Sequence, residues 1–384
     1  MGLLLCIVAV FLQFSLGFSF PLRFNQTTGH FKILQVADMH YANGATTKCL
    51  DVLPAEFATC SDLNTTAFIE RLIHAERPDF MVFTGDNIYG FDCNDSTASQ
   101  VAAFAPAVNA QIPWAAVLGN HDQEGNLNRM ELMQHIVSMD YTLAQINPPL
   151  ASLTLPSEGH HYECGLASSI DGYGNYNLEV GGAQGSPLAN KSVLNLYFLD
   201  SGDYSTVPGI GGYGWIKPSQ QLWFSQTSAQ LQAEYKSDPT SDNTSAPGLV
   251  YFHIPLPEFI AFSASNMTGG KQEGISSADM NSGFFTTIRE AGDVKAVFVG
   301  HDHVNDFCGE LSGVNLCYGG GFGYHAYGMA GWSRRARVVM ATMGKDDNGG
   351  WVGVEEIRTW KRLDDDALTT LDEEVLWNPS VTHS

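Results

Sequence analysis

Short segments rich in apolar residues recur along the chain, and each gives way to glycine or to a polar side chain. The first is Phe31–Ala37, which is followed directly by Asp38. Segments of this kind predict buried β-strands. Five more segments have the same character: Asp79–Thr84, Ile112–Leu118, Val193–Leu199, Leu249–Phe252 and Val294–Val299.

Helical periodicity lies between several of these strands. In Thr65–Ala75, the apolar residues Ala67, Phe68 and Leu72 fit helical spacing, and Pro78 closes the segment. Strands that alternate with helices indicate an α/β fold. The other predicted helices are at about Thr97–Asn109, Asn128–Met139, Ser219–Tyr235 and Ser282–Ala291.

The remaining segments are less regular. Residues 145–190 are rich in glycine, serine and proline and are predicted to form loops. Strands near Val338–Thr342 and Trp351–Thr359 are predicted to complete a sheet. Because the chain has no repeats and no linker, residues 20–384 are predicted to form one domain.

Five of the predicted strands end in side chains that can bind a metal. Loops at the carboxyl ends of strands are where α/β proteins place their ligands. Carboxylate, amide oxygen and imidazole suit a pair of Fe, Zn or Mn ions, whereas each residue alone is more often a hydrogen-bonded loop residue. Asp86 is alone on its loop and is the predicted bridge between two ions. The set is Asp38, His40, Asp86, Asn120, His121, His253, His301 and His303.

The amino terminus and the charge narrow the class of protein. The uncharged apolar run from Leu3 to Leu16 is short for a membrane span, so residues 1–19 are predicted to be a signal peptide, with an uncleaved anchor as the alternative. No other stretch predicts stable membrane insertion. Nineteen Lys and Arg against 41 Asp and Glu, a net charge of −22, exclude a nucleic-acid-binding protein.

Glycosylation sequons and cysteines favour the secretory pathway, with secretion or a vacuole or lysosome-like compartment as the destination. After loss of the signal the chain keeps six cysteines, which predict disulfides, with free buried thiols as the alternative. Cys308–Cys317 is the favoured pair because a short glycine-containing turn separates the two. N-glycans are predicted at some of Asn25, Asn64, Asn94, Asn190, Asn243 and Asn266.

The ordered motifs Asp-x-His, Gly-Asp-x-x-Tyr, Gly-Asn-His-Asp, His and Gly-His-Asp-His resemble the calcineurin-like metallophosphoesterase superfamily, in particular its purple-acid-phosphatase-like branch. The resemblance implies an α/β/β/α sandwich of two mixed sheets flanked by helices, with a dinuclear metal centre. His121 is then a histidine that binds no metal and lies beside the phosphoryl group. One ion would be held by Asp38, His40, Asp86 and His303, and the other by Asp86, Asn120, His253 and His301.

The resemblance also implies a function. The implied protein is a secreted phosphatase that hydrolyses small phosphate monoesters by in-line attack of a metal-bound hydroxide, with Asp86 and His121 as the catalytic residues. Purple acid phosphatases proper replace the histidine of Asp-x-His with the tyrosine of Gly-Asp-x-x-Tyr. Both His40 and Tyr89 are present here, and His40 is the predicted ligand. The alternatives are a phosphodiesterase or nucleotide hydrolase on the same site, and a non-catalytic glycoprotein on a phosphatase fold.

Three further features are candidates for supporting roles. Asp122 is a candidate for orienting His121, and His325 is a candidate for the lining of the pocket. The basic run Arg334–Arg337 is predicted to be a solvated strand edge rather than a phosphate site.

Overall fold

The computed structural model describes residues 21–148, 169–237 and 245–379, in which two β-sheets pack face to face. One sheet has six strands in the order β13-β12-β11-β2-β3-β4, and the other has seven in the order β1-β5-β6-β7-β8-β10-β9. The strands are β1 (Leu22–Arg23), β2 (His30–Val36), β3 (Phe80–Thr84), β4 (Trp114–Val117), β5 (Tyr176–Gly181), β6 (Ser192–Phe198), β7 (Gly248–Tyr251), β8 (Val294–Val299), β9 (Cys308–Leu311), β10 (Val314–Tyr318), β11 (Arg335–Lys345), β12 (Trp351–Leu363) and β13 (Thr370–Trp377).

The strands that carry the candidate ligands are parallel within each sheet. Strands β2, β3 and β4 pair in parallel in the first sheet. In the second sheet β6, β7, β8 and β10 do the same. The carboxyl ends of parallel neighbours meet at one edge, so the loops after these strands collect there.

Helices cover the outer face of each sheet. Phe104 of α2 stacks edge-on against Phe83 of β3, with ring centroids 4.9 Å apart. Across the molecule, Val250 and Val297 share an apolar cluster with Trp223 of α4. The four layers confirm the predicted α/β/β/α sandwich. The helices are α1 (Asp62–Glu76), α2 (Ser96–Asn109), α3 (Arg129–Val137), α4 (Pro218–Lys236) and α5 (Phe284–Ala291).

The prediction of loops throughout residues 145–190 is wrong in one part. Strand β5 lies in that segment and pairs antiparallel with β6. It buries Tyr176, Leu178 and Val180 while Asn177 and Glu179 between them are partly exposed. This period-two alternation is the signature of a strand with one wet face, and the surrounding glycines and serines obscure it.

Two disulfide bonds are present in the described chain. Cys308–Cys317 joins β9 to β10 and confirms the predicted pair, and Cys49–Cys60 closes the loop before α1. Cys93 carries a free thiol. Cys164 lies outside the described residues.

The predicted glycosylation sites that the structure describes are exposed on the surface. Asn243 and the predicted signal peptide, residues 1–19, lie outside the described residues. Glycosylation stays a prediction, since exposure permits it without requiring it. Within the described ranges, no helix has the length and apolar character needed to cross a membrane. Five sequon asparagines are exposed: Asn25, Asn64, Asn94, Asn190 and Asn266.

The basic run at the start of β11 is buried, so the prediction of a solvated strand edge is wrong. Arg335 donates to Asp306 at 2.6 Å, and Arg337 donates to the carbonyl of Tyr318 at 2.8 Å. Lys361 of β12 lies 2.8 Å from the Asp306 carboxylate. Burial alone would raise the pKa of Asp306, but Lys361 and Arg335 outweigh it and lower that pKa. Arg335 and Lys361 are therefore internal partners of a buried aspartate.

Replacing Asp306 with alanine is expected to lower the free energy of unfolding by about 3–5 kcal/mol, because it leaves the buried Arg335 without its counter-ion and Lys361 with only the partly exposed Asp372. Urea denaturation of the purified protein measures the change. Asp372 also pairs with Lys361, but its side chain is one-third exposed. Asp372→Ala is therefore the control, with an expected loss of less than about 1 kcal/mol. Equal losses in the two variants would contradict the assignment of Asp306 as the buried counter-ion.

Candidate metal centre

Loops after five strands bring the predicted ligands into two groups that share one carboxylate. In each group the potential ligand atoms lie within 4.8 Å of one another, and every side chain is buried. Asp86, from the loop after β3, belongs to both groups, as a bridging ligand must. The first group is Asp38, His40, Asp86 and His303, and the second is Asp86, His253 and His301.

Asn120 completes the second group. The Nε2 atom of His253 lies 3.1 Å from Asn120 Oδ1, 3.3 Å from His301 Nδ1 and 3.2 Å from Asp86 Oδ2. Ligand atoms about 2 Å from a metal ion lie roughly 3 Å from one another in a tetrahedral or octahedral shell. These four atoms are thus spaced as the coordination shell of one ion.

The first group is slightly more open. His40 Nε2 lies 3.3 Å from Asp86 Oδ2, and His303 Nε2 lies 3.6 Å from Asp38 Oδ1. The Nδ1 atom of His303 faces the carbonyl of Tyr327 at 2.9 Å. That carbonyl can only accept, so Nδ1 carries the proton and Nε2 presents its lone pair to the centre. The Oδ2 atom of Asp86 thus borders both groups.

Electrostatics keep three of the imidazoles neutral. Burial lowers the pKa of His40 and of His303, and burial with the nearby His253 lowers that of His301 to about 3. Burial also acts on His253, but the carboxylate of Asp86 outweighs it and raises its pKa to about 9. Neutral imidazoles are the form that coordinates a metal.

The buried polar atoms in this centre lack partners that a cation would supply. Neither Asp38 Oδ2 nor His40 Nε2 has a hydrogen-bond partner among the described residues, and the same is true of His301 Nε2. The Nδ1 atom of His253 donates to the carbonyl of Thr84, so the Nε2 of the neutral ring faces two oxygen acceptors. These lone pairs repel one another unless a proton or a metal ion lies between the nitrogen and the two oxygens. The residues therefore fit a pair of metal ions.

The backbone of these loops is held in an uncommon conformation. Four of the candidate ligands have positive φ, which side chains other than glycine rarely adopt. Gly85 allows the close approach of β3 to β7, since a Cβ there would lie 2.5 Å from His253 Nδ1. Such strain is typical of functional sites. The four residues are Asp38 (φ 57°), His40 (φ 46°), Asp86 (φ 46°) and His301 (φ 80°).

His121 lies beside the centre and outside both groups. Its side chain is 25% exposed, and its Nδ1 lies 2.7 Å from Glu124 Oε2. Residues Asp122–Glu124 form a single 3-10 turn, which returns Glu124 to the side of His121. Asp122 instead accepts backbone N–H groups from Asn87, Ile88 and Gly119. The suggestion that Asp122 orients His121 is therefore wrong, and Glu124 has that place.

Aromatic side chains that the sequence did not single out surround the centre. Tyr327 stacks on His303 with ring centroids 3.8 Å apart, and Tyr213 meets His301 edge-on at 4.4 Å. Tyr89, which the Gly-Asp-x-x-Tyr motif did single out, stacks on His40 at 5.4 Å. No sequence signal marks Tyr213 or Tyr327, because both come from irregular loops. Only a contact in space shows them.

His325 lies further out. Its Nδ1 faces the carbonyl of Lys48 at 2.7 Å, its Nε2 lies 3.0 Å from Asp92 Oδ2, and its ring meets Tyr89 edge-on at 5.6 Å. It therefore supports the loop that carries Tyr89.

Removing metal is expected to lower the melting temperature. Ions that bind only the folded state add about 4 kcal/mol of stability when their free concentration is a thousand times the dissociation constant. Elemental analysis should find close to two equivalents of metal in the purified protein. Thermal unfolding with and without a chelator measures the shift, and restored metal should reverse it. If neither the chelator nor the restored metal changes the melting temperature, the hypothesis of a metal centre is contradicted.

Comparison with known proteins identifies the family. The sequence profile described as calcineurin-like phosphoesterase matches residues 31–305. Probable inactive purple acid phosphatase 29 of Arabidopsis thaliana is 61% identical, over 94% of this chain and 88% of that protein. Phosphatase DCR2 of Saccharomyces cerevisiae is 33% identical, over 87% of this chain and 54% of that protein.

A solved structure supports the fold. A dimetal phosphatase from Danio rerio superposes with a TM-score of 0.52 at 14% identity, over 91% of this chain and 99% of that chain. The profile and the identities also confirm the resemblance drawn from the motifs. This chain belongs to the calcineurin-like phosphoesterase family.

Proposed function

We propose that this protein is a secreted phosphatase that hydrolyses phosphate monoesters at a centre of two metal ions, with residues 20–384 as its catalytic domain. The observation that carries the proposal is Asp86, whose Oδ2 borders both ligand groups while its Oδ1 accepts the backbone N–H of His121 at 2.8 Å. One side chain thereby links both ligand groups to the backbone of His121, whose imidazole is 25% exposed beside the centre. Iron, zinc and manganese all suit the donor set.

The two ions are assigned to the groups described above. Asp38, His40 and His303 would hold one, and Asn120, His253 and His301 would hold the other, with Asp86 as a ligand shared by both groups. When bound, such a pair supplies Lewis-acid activation of the phosphoryl group and of the attacking water. The protein's own part is to keep His40, His301 and His303 neutral and Asp86 ionised in a buried site.

His121 is the proposed proton donor. Its Nδ1 is held by Glu124, so Nε2 is the nitrogen left to face the substrate. A protonated His121 would stabilise charge on the phosphoryl oxygens and pass its Nε2 proton to the leaving alkoxide. Glu124 stabilises that protonated form by accepting from Nδ1.

Secretion and glycosylation belong to the same proposal. Two disulfides and five exposed sequon asparagines support an oxidising compartment. The vacuole or a lysosome-like compartment is compatible with the same features.

The test compares hydrolysis of p-nitrophenyl phosphate with that of bis-p-nitrophenyl phosphate by the purified glycoprotein between about pH 4 and pH 8. We expect the monoester to be hydrolysed faster than the diester, and we expect Asp86→Asn to hydrolyse neither. Faster turnover of the diester would move the assignment to a phosphodiesterase or nucleotide hydrolase on the same site.

A non-catalytic role is the second candidate, because relatives such as the Arabidopsis protein are named probable inactive purple acid phosphatases. It predicts that metal binds and that neither ester turns over. Against this non-catalytic role, the chain keeps every residue of both ligand groups and keeps His121 beside them.

A further inference from the structure

Access to the centre is from the side of His121. The side chains of His40 and His303 are 5% and 2% exposed, and Asp86 is 1% exposed, whereas His121 is 25% exposed. A substrate that places its phosphoryl group among the buried ligands must therefore leave its alcohol portion near His121. The residues around His121 consequently decide which alcohol portions fit.

On one side of His121 lies an aromatic pair from the loop after β3. Tyr89 contacts the His121 ring with centroids 5.0 Å apart, and Phe91 lies 6.3 Å from Tyr89. Phe91 is 75% exposed. An aromatic ring this exposed contributes little to the core, so its role is not explained by packing.

A second aromatic pair comes from the loop after β6. Tyr204 and Tyr213 stack at 5.6 Å, and Tyr213 meets His301 edge-on. The Tyr204 hydroxyl lies 3.5 Å from Asn120 Nδ2, yet the residue is 46% exposed. Tyr89 contacts His121 and the Tyr204 hydroxyl approaches the neighbouring Asn120, so both pairs border the same opening.

Resting on the proposed function, we propose that Tyr89 with Phe91 and Tyr204 with Tyr213 form an aromatic rim that selects phosphate monoesters of uncharged aromatic alcohols. Offset or edge-on contacts between aromatic rings add about 0.5–1.5 kcal/mol beyond the burial of area. Acidic neighbours disfavour an anionic leaving group, since Glu124 lies 2.7 Å from His121 and Asp92 lies 3.0 Å from His325, whose ring meets Tyr89 edge-on. The rim thus favours a ring that is planar and neutral.

The experiment compares 2-phenylethyl phosphate with 2-cyclohexylethyl phosphate. Both esters have primary alkyl leaving groups of similar basicity, so their chemistry is matched and only the ring differs. A purely apolar rim would favour the cyclohexyl ester or neither. An aromatic rim is expected to favour the phenyl ester in kcat/KM by about threefold to tenfold.

Variants locate the preference. Phe91→Leu and Tyr204→Leu keep apolar volume but remove the rings, and each is expected to reduce the preference toward unity. A preference that survives in both variants would overturn the rim.

A binding measurement separates the rim from the proposed function. Calorimetry of 2-phenylethylphosphonate and 2-cyclohexylethylphosphonate needs no turnover. Tighter binding of the phenyl compound, lost in Tyr204→Leu, supports the rim even if hydrolysis fails. Equal binding of both compounds overturns the rim alone, while binding of neither, with no hydrolysis, overturns the rim and the phosphatase together.

Discussion

Asp86→Asn is expected to reduce phosphatase activity by at least about a thousandfold, which corresponds to about 4 kcal/mol of lost transition-state stabilisation. The substitution keeps the size of the side chain but removes the one charge that both ligand groups share. In its metal-free form Asp86 is already held ionised: burial would raise its pKa, but His253 and His40 outweigh burial and hold that pKa well below its ordinary range. An amide there presents neither charge nor a second equivalent oxygen.

The metal content of Asp86→Asn shows whether its activity is lost because metal is lost. Elemental analysis of Asp86→Asn should show less than the two equivalents expected of the unaltered protein. Asp347→Asn is the matched control, because Asp347 is an exposed aspartate outside both groups. Its activity should stay within about twofold, as for surface substitutions in general. Full activity in Asp86→Asn would contradict the shared carboxylate and, with it, the two-ion centre.

The proximity of the candidate ligands could be predicted from the sequence because each one follows a strand. An apolar strand that stops at a polar residue fixes both the position and the direction of the side chain, so order along the chain becomes proximity at one edge. Asn120 and His253 are good examples, since they come from different sheets and meet at 3.1 Å. The two-sheet architecture itself needed the resemblance of the motifs as well.

What the sequence did not predict depends on contacts between irregular segments. Tyr204 lies in a loop after β6, and nothing in its neighbourhood signals that it reaches Asn120. Arg335 was misjudged for the opposite reason, because a basic run is usually solvated, whereas here Asp306 compensates its burial. Glu124 could have been found, since a carboxylate three residues after His121 is within reach in a single turn.

Relatives of this chain are named probable inactive phosphatases, and the geometry of the site bears on whether that description fits this chain. An inactive protein keeps its fold under selection for stability alone, which does not require ligands in strained backbone conformations. Asp38, His40 and Asp86 all have positive φ, and orphaned polar atoms accompany them. These features cost stability, and bound metal would compensate that cost. The ability to bind metal is therefore the minimum that this site implies.

His121→Asn is expected to lower kcat by about a hundredfold to ten-thousandfold while the metal content stays at that of the unaltered protein. The backbone N–H that donates to Asp86 survives the substitution, so the bridging carboxylate keeps this contact. The imidazole contributes only to the chemical step, which is why kcat and kcat/KM should fall together. This split between activity and metal distinguishes His121 from every ligand in the two groups.

Glu124→Gln tests whether the carboxylate acts through His121. A glutamine keeps a hydrogen-bond acceptor near Nδ1 but removes the negative charge, so we expect a loss of about tenfold to a hundredfold, by analogy with other partners that orient an active-site imidazole. In the double variant, Glu124→Gln should add almost nothing to His121→Asn, because a positioning residue has no effect once its partner is gone. If the two losses instead multiply, Glu124 contributes separately to the site, and the pairing at 2.7 Å is not what makes it matter.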